Sequence, residues 1–284
     1  MRKRNHRSPI TSVILYSLLA LTLVFVFFPL FWMLVTSLKT PIEANELPPT
    51  LIPRTPTLDA FKFLLERWHY PEVLLNTFVI ATFSALGATI LSGMAAYGIN
   101  RLQFPGRSAF YGFMVATLAL PGMVTIGPIF MTYKDIGLLD TRLGLTLVFL
   151  SGGLPLAMLV VFSALNSIPR DIDDAAAIDG CSWFDTLFRV MLPIAMPSFV
   201  VSFLLLFIHA WNEFLFAYIL SVTPEKRVLT VRLFEMPNRG DVYLPQYDLI
   251  AAGGVLVLLP IIPILILGQK RLVEGILAGA TQGT

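Results

Sequence analysis

The sequence predicts an all-α membrane protein with six spanning helices. Three observations predict it. Charged residues make up only 13% of the 284-residue chain and hydrophobic residues 56%, whereas ordinary soluble domains carry about 25% charge. Polar surface is therefore too scarce to coat a soluble globule of this size. The apolar residues gather into six segments long enough to cross a bilayer, for which about 20 are needed. Basic residues crowd the short ends, with Arg2, Lys3, Arg4 and Arg7 before the first segment and Arg101 and Arg107 after the second. That is the positive-inside pattern, and with an even number of spans it places both termini in the cytoplasm.

The same composition excludes other classes. A net charge of +2 is too small to argue for nucleic acid. The single cysteine, Cys181, allows no internal disulfide and gives no basis for a cysteine metal site. The basic start is followed by an apolar run too long for a signal peptide, so it reads as an uncleaved first span.

In chain order the expected spans are Ile10–Leu38, Leu74–Ile99, Ala109–Tyr133, Leu143–Leu165, Ala195–Ser221 and Leu249–Gly268. The first contains Pro29, so a tilt or kink is expected. The second carries small residues four apart, Ala81, Ala85, Thr89 and Gly93 on one line and Ala88, Ser92 and Ala96 on the next. Such lines let backbones approach closely, whether inside one subunit or between two. Gly152, Gly153 and Pro155 are candidates to interrupt the fourth. Two outer segments, Lys39–Val73 and Val222–Asp248, are proline-rich and too long for turns, a length that often carries function.

The longest polar stretch on the inner side is Pro169–Pro193, with five carboxylates: Asp171, Asp173, Asp174, Asp179 and Asp185. Pro169 suits a helix start. Asp171, Asp173 and Asp174 face the positive helix end. Ala175, Ala176 and Ala177 favour helix, and Gly180 is a natural stop. The spacing predicts a short helix over Arg170–Asp179 lying across the membrane face. Its small side chains and acids suit a docking partner; a plain solvated helix between spans fits equally.

Within the membrane, Glu213 is the one acid placed inside a span, about five residues or roughly 7 Å outward of the segment's middle. His209 lies four residues earlier on the same helix face. Three readings stay open. The two form a structural pair between helices; or Glu213 lines a solute path with Trp211 and Asn212; or they relay protons in a secondary transporter. The last would ordinarily bring repeated halves, and no internal repeat is evident. No catalytic or metal-ligand constellation stands out. Asp173 and Asp174 are adjacent, so they point to different helix faces and make a poor acid/base dyad.

The segment D-A-A-A-I-D-G, then nine residues, then V-M-L-P resembles the cytoplasmic signature of ABC-importer permeases, with Asp174 at a usual glutamate position and Val190 at a usual isoleucine. Further stretches are similar to carbohydrate-type permeases: A-Y-G-I-N-R-L-Q-F-P-G-R (Ala96–Arg107), G-L-L-D-T (Gly137–Thr141), W-N-E-F (Trp211–Phe214) and Q-K-R-L-V-E-G-I-L-A-G-A-T-Q-G (Gln269–Gly283). The resemblance runs from about Ser37 to the C-terminus and is to the smaller, six-span subunit of the maltose or glycerol-phosphate type.

That resemblance implies the type I importer permease fold, with a cytoplasmic coupling helix between spans 4 and 5. It implies a tail and first span with its outer loop over 1–70, a transmembrane core over 71–270, and a cytoplasmic tail over 271–284, with Gln269–Gly283 lying against the ATPase. The implied location is a bacterial or archaeal inner membrane. The implied partners are a second homologous permease, a dimer of ATPase subunits and an extracytoplasmic solute-binding protein. Asp174, Ala175, Ala176, Ile178, Asp179 and Gly180 would couple to the ATPase, with Asp174 the first choice for pairing and Asp179 the second. Pro237, Asn238, Arg239 and Gly240 would reach the binding protein. The implied substrate is a carbohydrate. The chain has no phosphate-binding G-x-x-x-x-G-K-[ST] loop, so ATP and Mg²⁺ would sit on the partner ATPase, and the chain would transmit force without catalysing.

Overall fold

The computed structural model describes residues 9–235, 239–240 and 245–280. Among these there is no strand. The helices, in order, are α1 (Pro9–Ser37), α2 (Pro41–Ala44), α3 (Asp59–Arg67), α4 (Tyr70–Arg101), α5 (Arg107–Ala116), α6 (Gly122–Asp135), α7 (Arg142–Asn166), α8 (Asp171–Ile178), α9 (Trp183–Asp185), α10 (Leu192–Asn212), α11 (Leu215–Leu220), α12 (Leu229–Phe234) and α13 (Tyr247–Ala280). By length and hydropathy α1, α4, α7, α13 and the run Trp183–Asn212 are able to cross a bilayer, and a bent pair, Arg107–Ala119 with Gly122–Asp135, is apolar enough to make a sixth crossing if the two halves count as one span. Five of the six expected spans are single apolar helices or helical runs, and the expected third, Ala109–Tyr133, falls on the bent pair.

Two of them are not straight. The third bends by 101°. Leu120 and Pro121 both adopt extended backbone there; for Leu120 the cause is the proline that follows, which disfavours the α conformation in the residue before it. The fifth starts earlier than expected, at Trp183, and breaks at Glu213, whose backbone is extended. Between α9 and α10 lies one wide turn of π-helix, Thr186–Met191. It ends two residues before Pro193, which lacks an N–H and would clash with the carbonyl four residues back in a regular α-helix. The fourth span is uninterrupted: Pro155 lies inside a continuous α7.

Contacts divide the chain into two units, one of residues 1–69 with 236–258 and one of 70–235 with 259–284. In the first unit, the buried Lys39 donates to the Thr50 carbonyl at 2.6 Å and lies 4.7 Å from the centre of the Trp32 ring. Glu43 accepts from the Arg54 backbone at 2.8 Å and from the Thr50 hydroxyl at 2.9 Å. The Arg54 N–H is the main cause that holds the Glu43 carboxyl below the usual range, against its burial. Here the proline-rich segment after α1 is an ordered structure.

In the second unit α4, α7 and α10 pack on one another. The small residues of α4 are buried in this packing, so their close approach serves the subunit's own core. At Gly93 a Cβ would stand 2.5 Å from the Phe199 ring of α10. Towards the α8 end, Ala96, Tyr97, Met158, Val161, Leu165, Leu187, Met191 and Phe199 form one continuous apolar cluster.

Candidate functional site: a cavity at two helix breaks and a pinned surface helix

The two breaks in otherwise apolar helices face one cavity of ≈ 450 Å³. Thr117, Leu120, Gly122 and Thr125 line it from the bent pair, Phe149, Ser151 and Gly152 from α7, and His209, Glu213 and Phe216 from the second break. A helix break in lipid strands backbone groups that must find other partners. Glu213 supplies one: its carboxylate accepts the Phe216 N–H at 3.1 Å, which caps the start of α11. The Glu213 carbonyl in turn accepts the Thr230 hydroxyl at 2.7 Å, tying the break to α12. Glu213 therefore holds helices together and lines a cavity at once.

The other two path candidates lie elsewhere. Trp211 is fully buried and stacks on Phe207 with ring centres 5.5 Å apart. Asn212 is exposed and donates back to the Ile208 carbonyl at 2.8 Å. His209, one turn before Glu213, is the residue that joins it in the lining.

The expected surface helix is α8, one residue shorter at each end than Arg170–Asp179. Its stop is built as the chain chemistry requires. Gly180 takes φ +80°, the left-handed conformation open to glycine. The Gly180 N–H donates to Ala177 and the Cys181 N–H to Ala176, at 3.1 and 3.0 Å, so the last carbonyls are satisfied.

One side of α8 is pinned. Asp173 forms a 2.9 Å ion pair with Arg101 of α4 and accepts from the Tyr97 hydroxyl at 3.4 Å. Burial pushes the Asp173 carboxyl above its usual range, with the Arg101 charge pulling the other way. Arg101 also donates to the carbonyls of Leu165 and Ile168, at 3.3 and 2.8 Å, closing the end of α7. Ala176 is buried. The rest of the expected docking set, Asp174, Ala175, Ile178, Asp179 and Gly180, is exposed, and Ile178 is 87% exposed. Tyr97 and Arg101 were not among the site candidates. Their signal was the stretch Tyr97–Arg101 itself, which places an aromatic and a cation one helical turn apart at the end of a span.

Of the outer-loop candidates, Pro237 and Asn238 lie outside the described residues. Arg239 is engaged: its guanidinium donates to Asp248 at 2.6 Å and Gln246 at 2.9 Å and lies 5.5 Å from the Phe63 ring centre. Gly240 is exposed at φ +82°. Asp140, within Gly137–Thr141, is a further clasp. Its carboxylate accepts the N–H groups of Val222 and Thr223, at 2.8 and 3.0 Å, and the Thr223 hydroxyl at 2.9 Å. Burial raises its carboxyl, but these donors outweigh burial and hold it below the usual range.

Residues 88–276 match the family described as "Binding-protein-dependent transport system inner membrane component". The chain is 32% identical to the sulfoquinovosyl glycerol transport system permease protein SmoH of Agrobacterium fabrum, over 90% of this chain and 89% of that one. It is 31% identical to the trehalose transport system permease protein SugB of Mycobacterium tuberculosis, over 90% and 92%. With the trehalose/maltose permease MalG of Thermococcus litoralis the identity is 30%, over 90% and 91%. A crystal structure of a bacterial ABC transporter for alginate import shares the fold at 22% identity and TM-score 0.80, covering 92% of this chain and 96% of that one. The chain belongs to the binding-protein-dependent transport system inner membrane components, as a permease subunit of an ABC transporter.

Proposed function

We propose that this permease is one half of the translocation path of an ATP-driven carbohydrate importer, and that α8 is where ATP-driven motion enters it. It pairs with a homologous permease, docks on a dimer of ATPase subunits that bind ATP and Mg²⁺, and receives solute from an extracytoplasmic binding protein. Both termini and α8 face the cytoplasm, with Lys and Arg in the short loops as the warrant. The single observation that carries the coupling role is the division of α8. Asp173 is pinned to α4 through Arg101, so a push on the exposed face moves the core as a body. The cavity at Glu213 fits a solute path: it is partly polar, it lies at two helix breaks, and non-helical backbone at membrane depth belongs where it lines a cavity. Carbohydrate as the substrate class is supported by the sugar permeases it resembles.

The test is uptake by the reconstituted importer carrying Gly180→Asp or Ala175→Arg. Gly180→Asp forces a side chain into a left-handed position, and Ala175→Arg puts bulk on the docking face. Both are expected to abolish uptake and binding-protein-stimulated ATP hydrolysis while the chain stays in the membrane. Uptake that survives both changes, and is abolished by a protonophore while ATP is held normal, overturns the reading in favour of a carrier using His209 and Glu213. Ligand binding to the cognate solute-binding protein names the sugar.

A further inference from the structure

A second cavity, ≈ 270 Å³, lies where α4 ends, α5 begins and α7 ends. Its polar lining is Asn100, Arg107, Ser108, Tyr111, Asn166 and Arg170. Each of these side chains is able to donate a hydrogen bond, and no carboxylate lines the cavity among the described residues. Of the acids nearest Arg170 in sequence, Asp171 is exposed and Asp173 is already paired with Arg101.

Both arginines are aimed by the backbone. Arg107 places one nitrogen on the Leu102 carbonyl at 3.3 Å, and Arg170 places one on the Asn100 carbonyl at 3.3 Å. A guanidinium carries five N–H donors in a fixed fork, so each has donors left for a ligand. Arg107 and Ser108 also form the first turn of α5, a ten-residue helix with no side-chain cap, whose positive end favours an anion. The wall behind them is apolar: Tyr111 stacks on Phe162 at 4.1 Å. α4 and α7 are membrane-spanning helices, so their ends set this cavity at the level where hydrocarbon gives way to headgroups.

We propose that this cavity binds a phosphate group, and that the phosphate is carried by an anionic phospholipid. Two guanidiniums, two hydroxyls and two amides, the amides bonded to each other at 3.3 Å, line one cavity at the hydrocarbon boundary with no carboxylate; that is chemistry able to hold a phosphodiester, and the apolar wall suits the top of an acyl chain. The inner leaflet follows from the orientation proposed above. Arg170 is the residue that enters α8, so an occupied cavity fixes the start of the coupling helix.

The experiment uses the purified, delipidated importer with its partner subunits in detergent, titrated with fluorescent short-chain phosphatidylglycerol. Unlabelled phosphatidylcholine and inorganic phosphate serve as competitors. Expected is saturable binding that Arg107→Gln and Arg170→Gln each weaken roughly five-fold, the effect of one basic residue at a lipid surface. Phosphatidylcholine competes poorly. Equal binding by wild type and the double variant overturns the proposal. Displacement by inorganic phosphate as effective as by phosphatidylglycerol keeps the phosphate site but overturns its assignment to lipid. If a glutamine variant fails to assemble, native mass spectrometry of the wild-type complex decides. Retained phosphatidylglycerol that Arg107→Lys loses supports the site, and none retained overturns it. Binding is read without transport, so this outcome and that of the uptake test are separable.

Discussion

Asp173 and Asp174 are neighbours in sequence with opposite fates. Asp173 points inward to Arg101 and Tyr97, and Asp174 outward to solvent. Adjacent helix residues cannot share a face, so the sequence makes them a poor dyad, but it does not say which turns inward. Arg101→Gln leaves Asp173 half-buried without its cation and is expected to cost about 2–3 kcal/mol. The deficit depends on pH in a definite sense. The Asp173 carboxyl is raised in the folded state, so its protonated form is the better tolerated one. The variant's deficit should be largest at neutral pH and shrink as pH falls through the raised value, as followed by thermal unfolding in detergent. A pH-independent deficit would assign the loss to Arg101's bonds to the Leu165 and Ile168 carbonyls instead. Asp140 has the opposite sign. Its folded carboxyl is lowered, so its stabilisation is complete above the unfolded value near 3.8 and is lost as pH falls through the folded one. Asp140→Asn is expected to cost about 1–2 kcal/mol at neutral pH and to match wild type in acid. Asp140→Ala should cost more, because φ is +58° there and asparagine tolerates that conformation better than alanine.

Among the elements, the spans were legible because hydropathy records where a chain is apolar. It does not record whether the helix is continuous. The break at Glu213 exists because Phe216 and Thr230 satisfy what it exposes, and Thr230 is 17 residues away. That is why Glu213 read as an acid within a span. The third span carried a local signal in Pro121-Gly122, which a search for apolar length passes over. α8 was legible nearly to its ends because its start and stop are local chemistry: acids in the first turn and a glycine after the last. The line of small residues on α4 was legible as a close contact but not as to its partner, since Phe199 is brought there by tertiary folding. Gly93→Ala is expected to cost about 1–3 kcal/mol by overpacking, and Phe199→Leu in the same chain should recover part of it. A double-mutant cycle in thermal unfolding reads this directly. Additive costs would mean that the added methyl meets something other than the ring.

At the scale of the second unit, α8 and the Glu213 cavity are joined by one packed body. The apolar cluster beside α8 holds Tyr97 of α4, Val161 and Leu165 of α7, and Met191 with Phe199 of the α9–α10 run. Ile172 of α8 packs against it, while the first half of α7 and the end of α10 line the cavity. A densely packed body transmits a displacement because it cannot be compressed. A hole in that body should therefore weaken coupling at a site that touches neither the ATPase nor the solute. Leu165 is fully buried, and Leu165→Ala is expected to cost about 2–5 kcal/mol of stability. In the reconstituted importer, at a temperature where the variant remains folded, ATP hydrolysis should persist while solute delivered per ATP falls. Leu159→Ala, which truncates an exposed side chain of the same helix, controls for loss of leucine as such and should leave the ratio unchanged. If hydrolysis and delivery fall together in Leu165→Ala, the packed core is needed for docking and α8 cannot be acting as a lever through it. If neither falls, the displacement reaches the cavity by another route, and the Arg101–Asp173 pin is then the contact to break next.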